Sequence, residues 1–89
     1  MKWQLGFSSQ SLKFLERNNI QEELIVNEVV LALKKFQGEE SNVDIKKLKG
    51  EWDGFYRIRS GRLRIILEFA FDEHTVTIEA VDWRGNLYK

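Results

Sequence analysis

The chain has 89 residues, and its 14 Lys and Arg balance 14 Asp and Glu to a formal net charge of zero. That length makes a single domain, residues 1–89, with one modest core, and 43% hydrophobic with 31% charged residues fits an ordered globular chain rather than a disordered one. The absence of cysteine excludes a disulfide framework and a thiolate metal site, no apolar run approaches a membrane span, and with no signal-peptide pattern the expected location is the cytoplasm.

Residues 2–7 alternate, placing Trp3, Leu5 and Phe7 on one face of a predicted strand. Ser8 or Ser9 can cap a short helix to about Asn18 that carries Leu12, Phe14 and Leu15. Asn19 with Glu22 three residues on reads as a capping box for a longer helix to about Gln37, stopped by Gly38. Its apolar residues run from Ile20 through Leu24, Ile25, Val26, Val29 and Val30 to Phe36, a stripe wide enough to cover a sheet face. Residues 38–43 form a polar loop, and a basic connector follows.

Residues 45–64 carry seven of the fourteen basic side chains: Lys46, Lys47, Lys49, Arg57, Arg59, Arg62 and Arg64. Only Glu51 and Asp53 oppose them, so a neutral protein holds a local excess of five positive charges. Such concentration points to a local anion site. Residues 54–60 and 62–71 both read as strands. With Ser60-Gly61 as the hairpin loop, Arg59 would face Arg62 and Arg57 would face Arg64. Alternation then puts all four arginines on one face and Tyr56, Ile58, Leu63, Ile65, Leu67, Phe69 and Phe71 on the other. Like charges directly opposed destabilise a hairpin, so a bound anion is one explanation; carboxylates interleaved across the sheet, such as Glu68, are another. Asp72-Glu73-His74 is a second turn, with its histidine expected in solvent, and residues 75–83 alternate as a third strand.

The expected fold class is α+β. One N-terminal strand and two helices precede a three-strand antiparallel meander, and the helices pack on one face of a small, antiparallel-rich sheet. No carboxylate cluster has metal-ligand spacing, so no metal or cofactor is expected. Phe55 alternates onto the arginine side, where it can stack on a base; core or loop packing is the expected role of Trp52.

The run Asp44-Ile45-Lys46-Lys47-Leu48-Lys49-Gly50, then Tyr56-Arg57-Ile58-Arg59, Gly61, Leu63-Arg64-Ile65 and Val81-Asp82-Trp83-Arg84 through to Tyr88 resembles the RelE/ParE superfamily of type II toxins. The order of elements matches across nearly the full chain. The resemblance implies a toxin that is a ribosome-dependent messenger-RNA endonuclease, inhibits translation, and is held by a cognate antitoxin in a hetero-oligomer. Its partners would be that antitoxin, the ribosome and mRNA, with no membrane. The resemblance puts Arg57, Arg59, Arg64, Arg84 and Tyr88 in the catalytic set. It gives Lys47 and Lys49 contacts to the RNA backbone; Arg62 and Phe55 join them from the hairpin pattern. Arginine stands at both strand positions where the best-studied RelE-like enzymes have lysine. It stays protonated, which makes it a poor general base and a good phosphate clamp. Two other readings stand beside this one: a ParE-type toxin directed at DNA gyrase, and an inactive homologue that only binds its antitoxin.

Overall fold

The computed structural model describes residues 2–85, and its first strand, β1, is Gln4–Phe7. Helix α1, Ser9–Arg17, starts at Ser8, whose hydroxyl oxygen accepts the Ser11 N–H at 3.1 Å. Helix α2 is Glu22–Phe36 and has no side-chain cap, so the expected Asn19–Glu22 box does not form. Asn19 instead closes α1 with a φ of 56°. The Ile20 N–H reaches the Leu15 carbonyl at 2.9 Å and the Asn19 N–H reaches Glu16 at 3.3 Å. Those two bonds define a Schellman ending, and asparagine tolerates the left-handed position it requires. Gly38, with φ of 88°, ends α2 in the same way.

Four strands follow: β2 Asp44–Lys47, β3 Tyr56–Ser60, β4 Leu63–Ala70 and β5 Thr75–Trp83. β2 replaces part of the expected connector and makes the sheet five-stranded, in the order β1-β5-β4-β3-β2. The final three strands are the expected meander; β2 adds antiparallel to β3, and β1 pairs parallel with β5. A short edge strand with two lysines is a recurrent way of blunting a sheet edge, and here it is also what makes the segment read as a linker.

The core lies between the helices and one sheet face. Ile45, Ile58, Ile65 and Val81 stand opposite one another across four strands, and Tyr56, Leu67 and Ile78 form the next row. α1 covers them with Phe14 and Leu15, and α2 with Ile25, Val29 and Ala32. Leu24, Val26 and Val30 stay exposed, so α2 buries a narrower stripe than its composition predicts. His74 is half-buried, its ring 5.3 Å from Trp3 in an edge-on contact, rather than free in solvent. No helix among the described residues is long and apolar enough to cross a membrane.

One irregularity fixes α1 to the sheet. The β4–β5 register steps from Ile66↔Ala80 to Leu67↔Ile78, leaving Glu79 as the extra residue of a bulge. β1 stops pairing at Phe7↔Ile78, just short of it. Beyond that point α1 supplies the partners. The Ser8 hydroxyl donates to the Glu79 carbonyl at 2.6 Å. The Gln10 amide donates to the Val81 carbonyl and accepts the Val81 N–H, both at 3.1 Å. One side-chain amide thus stands in for a peptide group of a neighbouring strand, and the backbone of β5 stays satisfied.

Candidate functional site

The β3–β4 hairpin turns through Gly61 and Arg62, because Ser60 pairs with Leu63. Gly61 has φ of 60°, the positive value that a II′ turn demands of its first central residue. The loop is therefore one residue later than expected. Arg59 faces Arg64, Arg57 faces Ile66, and Arg62 leaves the platform for the turn. Advancing the loop by one residue moves both strands together, so the alternation survives and Arg57, Arg59 and Arg64 still share a face.

Two rows cross that face. One reads Asp44, Arg59, Arg64, Asp82; the next reads Lys46, Arg57, Ile66, Ala80. Cations thus stand directly opposite each other at Arg59/Arg64 and at Lys46/Arg57, with a carboxylate at each flank of the first row. Ile66 is fully buried although it lies on this open face. Arginine stems cover apolar surface in this way while their heads stay polar. Arg57 is itself only 5% exposed, so its guanidinium is held rather than swinging.

An open cleft of about 380 Å³ lies on these rows, lined by Lys46, Lys47, Leu48, Lys49, Arg57, Arg59 and Arg64. Six of those seven residues are cationic and none is a carboxylate. A second concavity, lined by Arg62, Arg64, Trp83, Arg84 and Gly85, adjoins it. Arg64 belongs to both, so the two form one basic track around a central arginine.

This helix–sheet arrangement can be compared with known structures. No family model and no curated relative matches the sequence. Solved structures do match. A metal-bound toxin from Helicobacter pylori is 20% identical, with 98% of this chain and 100% of that chain covered and a TM-score of 0.71. A chain of the archaeal RelE–RelB complex from Pyrococcus horikoshii is 22% identical, with 97% and 99% covered and a TM-score of 0.68. A chain of the E. coli DinJ–YafQ toxin–antitoxin complex is 12% identical, with 100% of both chains covered and a TM-score of 0.68. The chain has the RelE toxin fold. At these identities the fold is what is shared.

In this RelE-fold chain the expected residues divide. Arg57, Arg59 and Arg64 come together with Lys47 and Lys49 in the cleft, and Arg84 lies in the adjoining concavity. Phe55 is not among the cleft's lining; it packs edge-on against Trp52 with ring centroids 5.6 Å apart. Arg62 sits in the turn, its guanidinium carbon 6.0 Å from the Trp83 ring centroid. Tyr88 lies outside the described residues. Among the described residues no group of three or more His, Asp or Glu side chains is placed to hold a metal ion.

Asp44, from the strand that sequence patterning missed, is a carboxylate that meets Arg57 and Arg59. Glu68 is exposed and stands opposite Thr77. Asp44 Oδ1 is 3.6 Å from Arg57 Nη1, and Oδ2 is 3.9 Å from Arg59 Nε. Both separations exceed hydrogen-bond length, and the Asp44 side chain is 56% exposed. The Arg59 pair, with both side chains more than a third exposed, is of the weak surface kind, worth about 0.2–1 kcal/mol. Asp44 is therefore a loosely held counterion of the two arginines. Asp44→Asn should tighten phosphate binding by about one and a half- to fivefold, the equivalent of removing one such competitor. Titration with inorganic phosphate, followed by NMR shifts of the β3 and β4 amides, measures this; unchanged or weaker affinity would show that Asp44 does not compete for the site.

Proposed function

We propose that this chain is the toxin of a type II toxin–antitoxin pair and cuts messenger RNA on the ribosome, in the cytoplasm. The observation that carries the reading is the track itself: six cations around one cleft with no carboxylate in the lining, joined through Arg64 to Arg84. A polyanion fits it, and the clustered positive charge is aimed where a reacting phosphate becomes more negative.

The reaction that suits such a site is transesterification. A ribose 2′-oxygen loses its proton and bonds to the adjacent phosphorus. The bond from phosphorus to the 5′-oxygen breaks, leaving a 2′,3′-cyclic phosphate and, after proton transfer, a 5′-hydroxyl. Arg64 grips the equatorial oxygens of the phosphorane, with Arg57 and Arg59 adding charge and orientation. Arg84 steadies the departing 5′-oxygen. Arginine keeps its proton, so these four side chains supply charge and orientation rather than the proton acceptor.

An antitoxin partner belongs to the same reading. Chains of similar fold occur in a RelE–RelB complex and in a DinJ–YafQ toxin–antitoxin complex. Val26 and Val30, exposed and four residues apart on α2, offer an apolar strip for a covering helix, remote in chemistry from the cleft. Primer extension on ribosome-bound message after induction tests the activity. New 5′ ends inside codons are the expected result. Intact message with gyrase-linked DNA breaks would replace this reading by the ParE-type one.

A further inference from the structure

Trp83 ends β5 and is 37% exposed, an unusual amount for an indole with a core beneath it. It faces the helix side, opposite Leu63, and packs edge-on against Phe14 of α1 with centroids 5.4 Å apart. Phe14 is buried, so the indole has a fixed support. Trp83 is also a wall of two concavities. One holds Arg62, Arg64 and Arg84, continuous with the cleft. The other, of about 370 Å³, holds Lys13, Arg17, Gln10, Phe14, Asn18 and Asp82.

Lys13 and Arg17 are four residues apart on α1 and therefore project from the same side of the helix. Gln10, one turn earlier, is the residue that locks α1 to Val81, so the helix presents those two cations from a fixed position. The one carboxylate in this concavity's lining, Asp82, accepts the backbone N–H of Trp83 at 2.7 Å. Arg62 stands 6.0 Å from the indole centroid, at the outer limit of a cation–π contact, and is exposed. It can swing aside at little cost. Basic side chains thus flank one supported, partly open aromatic ring, which is the usual make-up of a single-strand nucleic-acid site.

We propose that Trp83 is a base-stacking platform for single-stranded RNA leaving the cleft, and that Lys13 and Arg17 hold the phosphate beyond it. The strand would run from Arg64 past Arg84, over the indole at the end of the sheet, and onto α1. This rests on the RNA-cleaving reading and adds a second contact region on the opposite side of the sheet's end.

The test is binding of a short, fluorescent, 2′-O-methylated single strand, which cannot be cut because its nucleophile is blocked. Trp83→Ala should weaken binding by about 5- to 100-fold, the range for one stacked base, and Trp83→Phe should recover most of the loss. The double variant Lys13→Gln with Arg17→Gln lies on the surface and keeps the fold. It should lower the slope of log affinity against log salt by about 1.4, the loss of two contacts to single-stranded phosphate. Full affinity and an unchanged slope in both variants, with binding lost in Arg64→Ala, would overturn the platform and leave the cleavage reading intact. No binding by the unaltered protein would also overturn it. The cleavage reading stands or falls separately, on whether the unaltered protein cuts ribosome-bound message.

Discussion

Cells induced for Arg64→Ala should grow as though no toxin were made. Arg64 lines both halves of the basic track, the cleft with the lysines and the concavity with Arg84. Removing one preorganised donor to a developing anion typically costs about 100- to 1,000-fold in rate. Arg84→Ala should lose a similar factor, at the leaving oxygen rather than at the phosphorane. The fold should tolerate the first change. Arg64 is outside the apolar core, and its removal relieves the opposition with Arg59 while taking a cation from in front of Asp82. Those two effects have opposite sign and similar size, each within about 1 kcal/mol. Growth curves, with cleavage on programmed ribosomes and circular dichroism on the purified variants, measure both halves of the expectation. A folded Arg64→Ala protein that stays fully toxic would place the activity elsewhere than this face, and the gyrase-directed alternative would then lead.

The largest loss of stability is expected from Ile65→Ala. Ile65 is fully buried on the central strand, between Ile58 on one side and Val81 on the other. Truncating such a residue costs about 2–5 kcal/mol, through lost transfer energy and the cavity left behind. A domain of this length has roughly 4–13 kcal/mol in total. The variant should therefore unfold at a much lower urea midpoint, with little change in slope. A midpoint within experimental error of the parent protein would mean that the sheet–helix core is packed differently around this strand.

The arginine face was legible because strand side chains alternate with a period of two, and that parity is indifferent to a one-residue advance of the turn. The turn itself was misplaced: glycine satisfies either central position of a tight loop, and only the pairing of Ser60 with Leu63 decides between them. The strand Asp44–Lys47 was hidden by its own chemistry, one apolar residue among charges, which is what an edge position favours. With it hidden, the counterion Asp44 could not be found, and Glu68 was the natural guess. Asn19 misled for a related reason. The residue types that cap a helix start also tolerate the backbone that ends one, and the preceding helix had the first claim on it. Trp83 carried no sequence signal beyond its type; its place between two concavities depends on Phe14, which lies far away in the chain.

The parallel pairing of β1 with β5 has a consequence for how the protein is made. Among the described residues Gln4–Phe7 pairs with Thr75–Ile78, and the Gln10 amide bonds the backbone of Val81. β1 and α1 are therefore made well before β5, the strand they dock on. At about 5–20 residues per second, the stretch between β1 and β5 takes several seconds to make, and for that period β1 and α1 lack their partner strand. Arg84 is added later still. A chain halted before Thr75 lacks both the strand that holds α1 and the arginine assigned to the leaving group. It should give no cooperative unfolding transition and no toxicity.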